Sequence, residues 1–231
     1  MGPQYVRGIL EGNGTPPDAK SAFHLTYSVN KEDIWIARVP VPASAIVTDP
    51  VHDDFNSETP GSLPAGWNIY SPRWAPVRIA DEAGQRALTL TDEDPCDYAR
   101  AVRVFPVTHG LKISFTVFAK QSNARLEIEL LDGKGQRPVR LAFGEDGHLW
   151  VCHETQWLDA DRCSVLVDGK SLLPRPAYFT DPVATVERLS FRTGAYRDRG
   201  YGGRDIAGAD VKTPKAEFLI DDVVITPSGT R

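Results

Sequence analysis

Two glutamates on one predicted strand have the spacing that could support catalysis. Glu127 and Glu129 alternate along the segment ARLEIELLD, so their side chains should point to the same face of a strand. Glycoside hydrolysis uses two carboxyl groups about 5 to 10 Å apart. Polar residues that alternate with apolar ones are also typical of a strand with one solvated face. The pair is therefore a candidate catalytic set, and a solvated strand face is the alternative interpretation.

Four aspartates are candidate metal ligands. Asp53 and Asp54 open the long C-terminal region, whereas Asp221 and Asp222 lie in its last predicted strand, AEFLIDDVVITP. A β-sandwich usually brings its first and last strands close together, and Ca²⁺ takes six to eight oxygen ligands. The set is a candidate site for a structural calcium ion. The alternative is that these aspartates end strands in water.

Aromatic residues bear on carbohydrate binding because a flat ring can stack on the C–H face of a sugar. Trp67 and Trp150 lie in alternating strands and are expected in the core. The longest irregular stretch runs from Tyr196 to Pro214, and long loops in compact domains are often functional. We expect the following residues, in turn or loop contexts, to bind a glycan: Arg73, Trp74, Tyr196, Arg199, Tyr201 and Asp205.

Other catalytic signatures are missing from the sequence. It contains no G-x-S-x-G elbow, no H-E-x-x-H and no Walker loop, and its five histidines are scattered. Cys96, Cys152 and Cys163 lack the paired spacing of a zinc site. A bridge between Cys152 and Cys163 and three separate thiols are both compatible with the pattern.

Composition excludes some partners. The 231 residues carry a formal net charge of −5, without a cluster of lysine and arginine, which argues against nucleic acid and anionic membranes. No run of eighteen apolar residues and no signal peptide is found in this chain. Eighteen prolines and nineteen glycines favour short strands and turns over long helices.

The order of patterns predicts an all-β chain. Alternation in FHLTYSV and DIWIARVPVP predicts a β-hairpin within residues 1–44, and the proline-punctuated residues 45–52 are interpreted as a linker. Residues 53–231 show a steady succession of short strands, the pattern of an antiparallel β-sandwich. The predicted strands are WNIY, APVRIA, RALTLT, YARAVRVF, LKISFTVFAK, ARLEIELLD, PVRLAF, HLWVCH, TQWLDA, VERLSFRTG and AEFLIDDVVITP. Turns are predicted at Asp132 to Gly135, at Glu145 to Gly147 and at Asp168-Gly169.

Two stretches carry a family resemblance. FHLTYSVNKEDIWIARVPVP resembles the closing segment of bacterial sialidase-like proteins with a β-propeller built from BNR repeats. The region that begins DDFNSETPGSLPAGWNIYSP and ends FLIDDVVITP resembles the jelly-roll, concanavalin-like lectin modules of secreted polysaccharide-active enzymes. The resemblance implies the last propeller hairpin, followed by a complete jelly-roll accessory module.

The resemblance also implies a function and a location. It leads us to expect a non-catalytic carbohydrate-binding or structural module of a secreted, glycan-active protein, located outside the cell or in the periplasm. Its partners would be a polysaccharide and a missing N-terminal propeller domain. Two alternatives stay open: a glycoside hydrolase or polysaccharide lyase that uses Glu127 and Glu129, and a purely structural domain that exposes an apolar patch around Val6, Ile34 and Trp35.

Overall fold

The computed structural model describes residues 4–10, 22–29, 33–40, 47, 49–94, 97–152, 162–179, 183–195 and 212–228. Every regular element in these ranges is a β-strand, and every ladder is antiparallel. The prediction of an all-β chain is confirmed for this part of the chain. None of the described residues forms a helix that could cross a membrane.

Internal contacts divide the chain into two units, Met1–Val47 and Thr48–Arg231. The first unit is a three-stranded sheet in the order β1 (Gln4–Leu10), β2 (Ala22–Val29) and β3 (Asp33–Pro40). Strands β2 and β3 form the predicted hairpin, with Val29 paired to Asp33 beside the turn. Ile34 and Ile36 on β3 are 83% and 71% exposed. The predicted boundaries at residues 44 and 52 stay predictions.

The second unit contains fifteen strands within the described residues. In chain order they are β4 (Val51–Asp53), β5 (Trp67–Tyr70), β6 (Val77–Glu82), β7 (Gln85–Asp92), β8 (Tyr98–Thr108), β9 (Leu111–Ala119), β10 (Leu126–Leu131), β11 (Val139–Phe143), β12 (Leu149–Cys152), β13 (Arg162–Cys163), β14 (Leu166–Val167), β15 (Lys170–Ser171), β16 (Ala177–Tyr178), β17 (Val186–Gly194) and β18 (Ala216–Pro227). Strand β4 begins inside the segment that the sequence led us to interpret as a linker. The predicted segment TQWLDA lies outside the described residues.

Two larger sheets dominate this unit. One has six strands in the order β12-β11-β10-β17-β8-β5. The other has five, in which β18 pairs with β7 and β4 along one edge and with β9 along the other, and β6 pairs with β7. Two further pairs, β13 with β16 and β14 with β15, are short. The Asp168-Gly169 turn joins β14 to β15 with φ angles of 49° and 73°, as a two-residue hairpin of this type requires.

Both larger sheets contribute to one hydrophobic core. Phe115 from β9 meets Phe191 from β17 edge to face, with ring centroids 5.0 Å apart. Phe191 also contacts Trp67, which in turn contacts Phe55. Trp67 is buried, as the sequence predicted. Each fully buried side chain of this size contributes roughly 1.5 to 3 kcal/mol to the free energy of folding, so this shared core stabilises the packing of one sheet against the other.

Candidate functional site

The six-stranded sheet carries a polar face opposite its core face. Alternation sends Leu126 and Ile128 of β10 into the core, whereas Glu127 and Glu129 lie on the other side. Two rows of paired residues cross this polar face. The first row contains Tyr70, Arg100, Arg192, Glu127 and Ala142. The second row contains Asn68, Val102, Ser190, Glu129 and Arg140.

Glu127 is surrounded by guanidinium groups. Its carboxylate oxygens lie 2.5 Å from Nη2 of Arg125, 2.6 Å from Nη2 of Arg192 and 3.2 Å from Nη2 of Arg140. The Glu127 side chain is only 4% exposed. Moving a charged group out of water costs free energy, and opposite charges and hydrogen bonds must offset that cost. The arginines supply that compensation.

Glu129 is also surrounded by guanidinium groups, but its two carboxylate oxygens make no hydrogen bond among the described residues. Its carboxylate lies 3.3 Å from Nε of Arg140, 3.4 Å from Nε of Arg137 and 3.7 Å from Nη2 of Arg100, and its side chain is 1% exposed. Arg140 therefore bridges the two glutamates. We name this group of seven side chains the arginine–glutamate cluster, and its members are Arg100, Arg125, Glu127, Glu129, Arg137, Arg140 and Arg192.

The cluster corrects the expectation of a solvated strand face for Glu127 and Glu129. Both carboxylates are buried, because guanidinium groups from β8, β11, β17 and the segments flanking β10 and β11 cover them. The sequence signal that was missed is the position of Arg100, Arg140 and Arg192 within the predicted strands YARAVRVF, PVRLAF and VERLSFRTG. Only the pairing of the strands places these arginines beside β10.

This arrangement bears on the candidate catalytic role of the two glutamates. A general acid or nucleophile must reach the scissile bond, whereas here both carboxylates are almost fully withdrawn from solvent and contact several arginines. The geometry suits charge pairing within the sheet.

Aromatic side chains continue the polar face beyond Arg100. The rings of Tyr70 and Tyr98 stack with centroids 4.6 Å apart, and the guanidinium of Arg192 lies 5.5 Å from the Tyr98 ring. The Tyr70 hydroxyl donates to the carboxylate of Asp97 at 3.1 Å. Burial, with a further contribution from Asp97, raises the pKa of Tyr70, so the hydroxyl keeps its proton. Contacts with the Tyr70 ring and the Arg192 guanidinium hold Tyr98 in place.

Arg73 and Trp74 occupy the turn that follows β5. Trp74 is 54% exposed, and the Arg73 guanidinium lies 4.8 Å from the centre of its ring. The carbonyl of Trp74 accepts a hydrogen bond from the backbone N–H of Glu93 at 2.7 Å, which anchors the turn to the end of β7. Of the predicted glycan-binding residues, Tyr196, Arg199, Tyr201 and Asp205 lie outside the described residues. The site assignment stays a prediction.

A buried carboxylate lies close to this turn. Asp92 ends β7 and is 1% exposed, and burial raises its pKa from 3.8 to about 6. Its oxygens accept hydrogen bonds from the backbone N–H of Asp94 at 3.0 Å and from the hydroxyl of Thr213 at 3.2 Å. Asp92 packs against Gly194, where an added Cβ would approach its Oδ2 to 2.7 Å.

The four candidate calcium ligands have different surroundings. Asp53 already has two partners: its Oδ2 lies 2.7 Å from Nε of Arg103 and accepts a hydrogen bond from the Trp67 indole at 2.9 Å. Burial raises the pKa of Asp221, and the neighbouring Asp222 and Asp54 charges contribute. Among the described residues, no three acidic, histidine or cysteine side chains form a group that could hold a metal ion. The calcium site stays a prediction.

Cys163 is a free thiol, so it forms no bridge to Cys152 in this structure. Burial raises its pKa, which disfavours the reactive thiolate. Cys96 and the side chains of Cys152 and Trp150 lie outside the described part of the chain.

Comparisons with known proteins find similarity to a sialidase-like carbohydrate-binding domain and to a sialidase. The family model described as "Sialidase-like, CBM domain" matches residues 67–157, less than half of the chain. The matched range begins at β5 and includes Arg73, Trp74, Arg100 and both glutamates of the cluster. No curated protein matches the chain.

A solved structure described as "Sialidase" is similar over almost the whole chain. The TM-score is 0.69 at 34% sequence identity, and the alignment covers 98% of this chain. It covers only 23% of the sialidase, so this chain spans less than a quarter of that protein's length. The comparison defines a fold shared with one part of a sialidase.

Proposed function

We propose that this chain is a non-catalytic carbohydrate-binding module of a larger, secreted, sialidase-like glycan-active protein. The family-model match over residues 67–157 is the observation that carries the proposal. The likeness to part of a sialidase chain supports the same class. In this proposal the second unit is a concanavalin-like jelly-roll sandwich, and it binds glycans outside the cell or in the periplasm.

The exposed turn after β5 is the proposed contact for a neutral sugar ring. Trp74 offers a broad apolar ring, and Arg73 packed against it adds hydrogen-bond donors. Stacking of a sugar on such a ring needs little reorganisation because the Trp74 backbone is already anchored to β7. Tyr196, Arg199, Tyr201 and Asp205 are proposed as further glycan-binding residues.

The absence of catalysis is part of the proposal. Glu127 and Glu129 contact arginines and have almost no exposed surface, which supports a structural role for both carboxylates. A hydrolase or lyase that used these two glutamates would need at least one of them to reach a bound glycan.

Affinity electrophoresis through gels that contain single polysaccharides tests this function, with product release measured in parallel. We expect retardation without product, and a weaker retardation for Trp74→Ala. Phe118→Ala is the matched control, since Phe118 is 60% exposed on the five-stranded sheet and its loss should leave retardation unchanged. Release of products that stops in Glu127→Gln would refute the non-catalytic assignment, and no retardation by any polysaccharide would refute glycan binding.

A second role is proposed for the first unit, as the last hairpin of a β-propeller that contacts the rest of that domain. The observation that favours it is the exposure of Ile34 and Ile36 on the edge strand β3. Exposed apolar side chains on a strand edge favour pairing with another strand. Sedimentation velocity tests this role. We expect the wild-type chain to self-associate, and we expect the double variant Ile34→Asn and Ile36→Asn to be monomeric. A strictly monomeric wild-type chain would argue against it.

A further inference from the structure

Arg100 differs from the other arginines of the cluster in how its nitrogens are used. Its Nε donates to the Ser190 hydroxyl at 2.9 Å, whereas its Nη2 lies 3.7 Å from Oε2 of Glu129, beyond hydrogen-bond distance. A guanidinium group carries five N–H donors in a planar fork. Within the described residues, the terminal nitrogens of Arg100 therefore keep donors available for an oxyanion with two acceptor oxygens.

The surroundings of Arg100 favour an added negative charge. Its side chain is 25% exposed, so a ligand can reach it. Burial lowers the pKa of Arg100, and the positive charges of Arg192 and Arg137 lower it further, against the opposing effect of Glu129. A carboxylate or sulfate placed on the guanidinium would offset both the lost hydration and the repulsion between like charges.

The neighbouring groups are suited to a sugar. Tyr70 pairs with Arg100 across the β5–β8 ladder, and its ring stacks on Tyr98. Asn68 is exposed two residues before Tyr70 on the same face, where its amide can bond hydroxyl groups. Ser190 fixes Nε of Arg100, so the fork is held before a ligand arrives. The face thus combines one anion-binding fork with neutral polar groups on a rigid sheet.

We propose that Arg100 binds the carboxylate or sulfate group of an acidic polysaccharide, with Asn68 and the Tyr70–Tyr98 pair contacting the sugar that carries it. This inference rests on the proposed function and adds the ligand class. The anion pairs with the guanidinium in a bidentate contact, a geometry that lysine does not reproduce. No bond is made or broken in the ligand.

The test compares three probes in affinity electrophoresis and isothermal titration calorimetry: polygalacturonate for carboxylates, dextran sulfate for sulfates, and neutral dextran. We expect one of the anionic probes to bind more tightly than dextran. Arg100→Gln should weaken that binding roughly tenfold or more, because a charge-assisted bidentate contact is lost. Arg100→Lys should restore only part of it.

Arg78→Gln is the matched control, since Arg78 lies on β6 in the five-stranded sheet and the substitution changes the net charge equally. The inference is wrong if Arg78→Gln weakens binding of the anionic probe as much as Arg100→Gln does. It is also wrong if neutral and anionic probes bind equally and Arg100→Gln changes neither. Both results would leave glycan binding intact. If no polysaccharide of either kind binds, the proposed function itself fails. Unfolding temperatures establish that the variants fold. If Arg100→Gln does not fold, Arg137→Gln is the second variant, because it removes a like charge near Arg100. We expect Arg137→Gln to weaken anionic binding less than tenfold while leaving dextran binding unchanged.

Discussion

The raised pKa of Asp92 makes the stability of this protein depend on pH in a defined direction. The carboxyl group titrates at about 6 in the folded chain, compared with an ordinary value of 3.8, and burial is the main cause. A raised pKa means that the folded state holds the proton more tightly than the unfolded state does. This contribution to stability is therefore complete below about pH 4 and is lost as the pH rises through about 6.

The magnitude follows from the two pKa values. A difference of one pKa unit corresponds to about 1.4 kcal/mol, so the ionised Asp92 lowers the free energy of unfolding by about 3 kcal/mol near pH 7. Asp92→Asn removes the charge, and the amide oxygen can still accept the N–H of Asp94. Its NH₂ group can donate to the Thr213 hydroxyl, which donates to the carboxylate in the wild-type chain. The variant should therefore be more stable than the wild type near pH 7.

Urea unfolding followed by tryptophan fluorescence measures the effect at several pH values. The stability difference between Asp92→Asn and the wild type should shrink by about 2 kcal/mol between about pH 7 and about pH 4.5. Glu145→Gln is the control, because Glu145 is exposed in a turn and should give the same pH profile as the wild type. If the curves of Asp92→Asn and the wild type run parallel over this range, the assignment of a raised pKa to Asp92 is refuted.

Three further substitutions test backbone packing and hydrogen bonding in the same unit. Gly194→Ala should lower the free energy of unfolding by more than about 2 kcal/mol, because φ is +102° and the new Cβ would lie 2.7 Å from both Asp92 Oδ2 and the Asp97 carbonyl oxygen. Gly84→Ala, with φ of +92° and no atom within 4 Å, should cost only about 1 kcal/mol, and equal losses in urea unfolding would contradict the steric explanation. Thr89→Val should raise stability by about 1 kcal/mol, since the buried Thr89 hydroxyl has no hydrogen-bond partner among the described residues. A loss of stability in thermal unfolding would show that this hydroxyl is satisfied.

Local patterns predicted much of the secondary structure. The alternation in LKISFTVFA matches strand β9, where half-buried and exposed residues alternate from Leu111 to Phe118. The Asp168-Gly169 pair predicted a hairpin turn, and both residues have the positive φ that this turn needs. A second turn of the same kind at Ala83-Gly84 was not predicted, since alanine rarely adopts positive φ and gives no local signal.

The same patterns did not predict the environment of the two glutamates. Alternation placed Glu127 and Glu129 together on one face, which is correct, but it could not tell whether that face is wet. Their burial depends on Arg192, which follows Glu127 by 65 residues along the chain, and on Arg100 from an earlier strand. The raised pKa of Asp92 likewise depends on burial, to which Gly194 of a distant strand contributes, while the hydrogen bond from Thr213 opposes the rise.

The sequence by itself determined the longer strands, the position of several turns, and which side chains share a strand face, because a period of two and a positive φ are properties of neighbouring residues. Only the tertiary structure decided that two carboxylates become buried among five guanidinium groups and that Arg100 keeps donors for an anion. Charge pairing across a sheet depends on strand order and register, and these are set by the packing of the whole core.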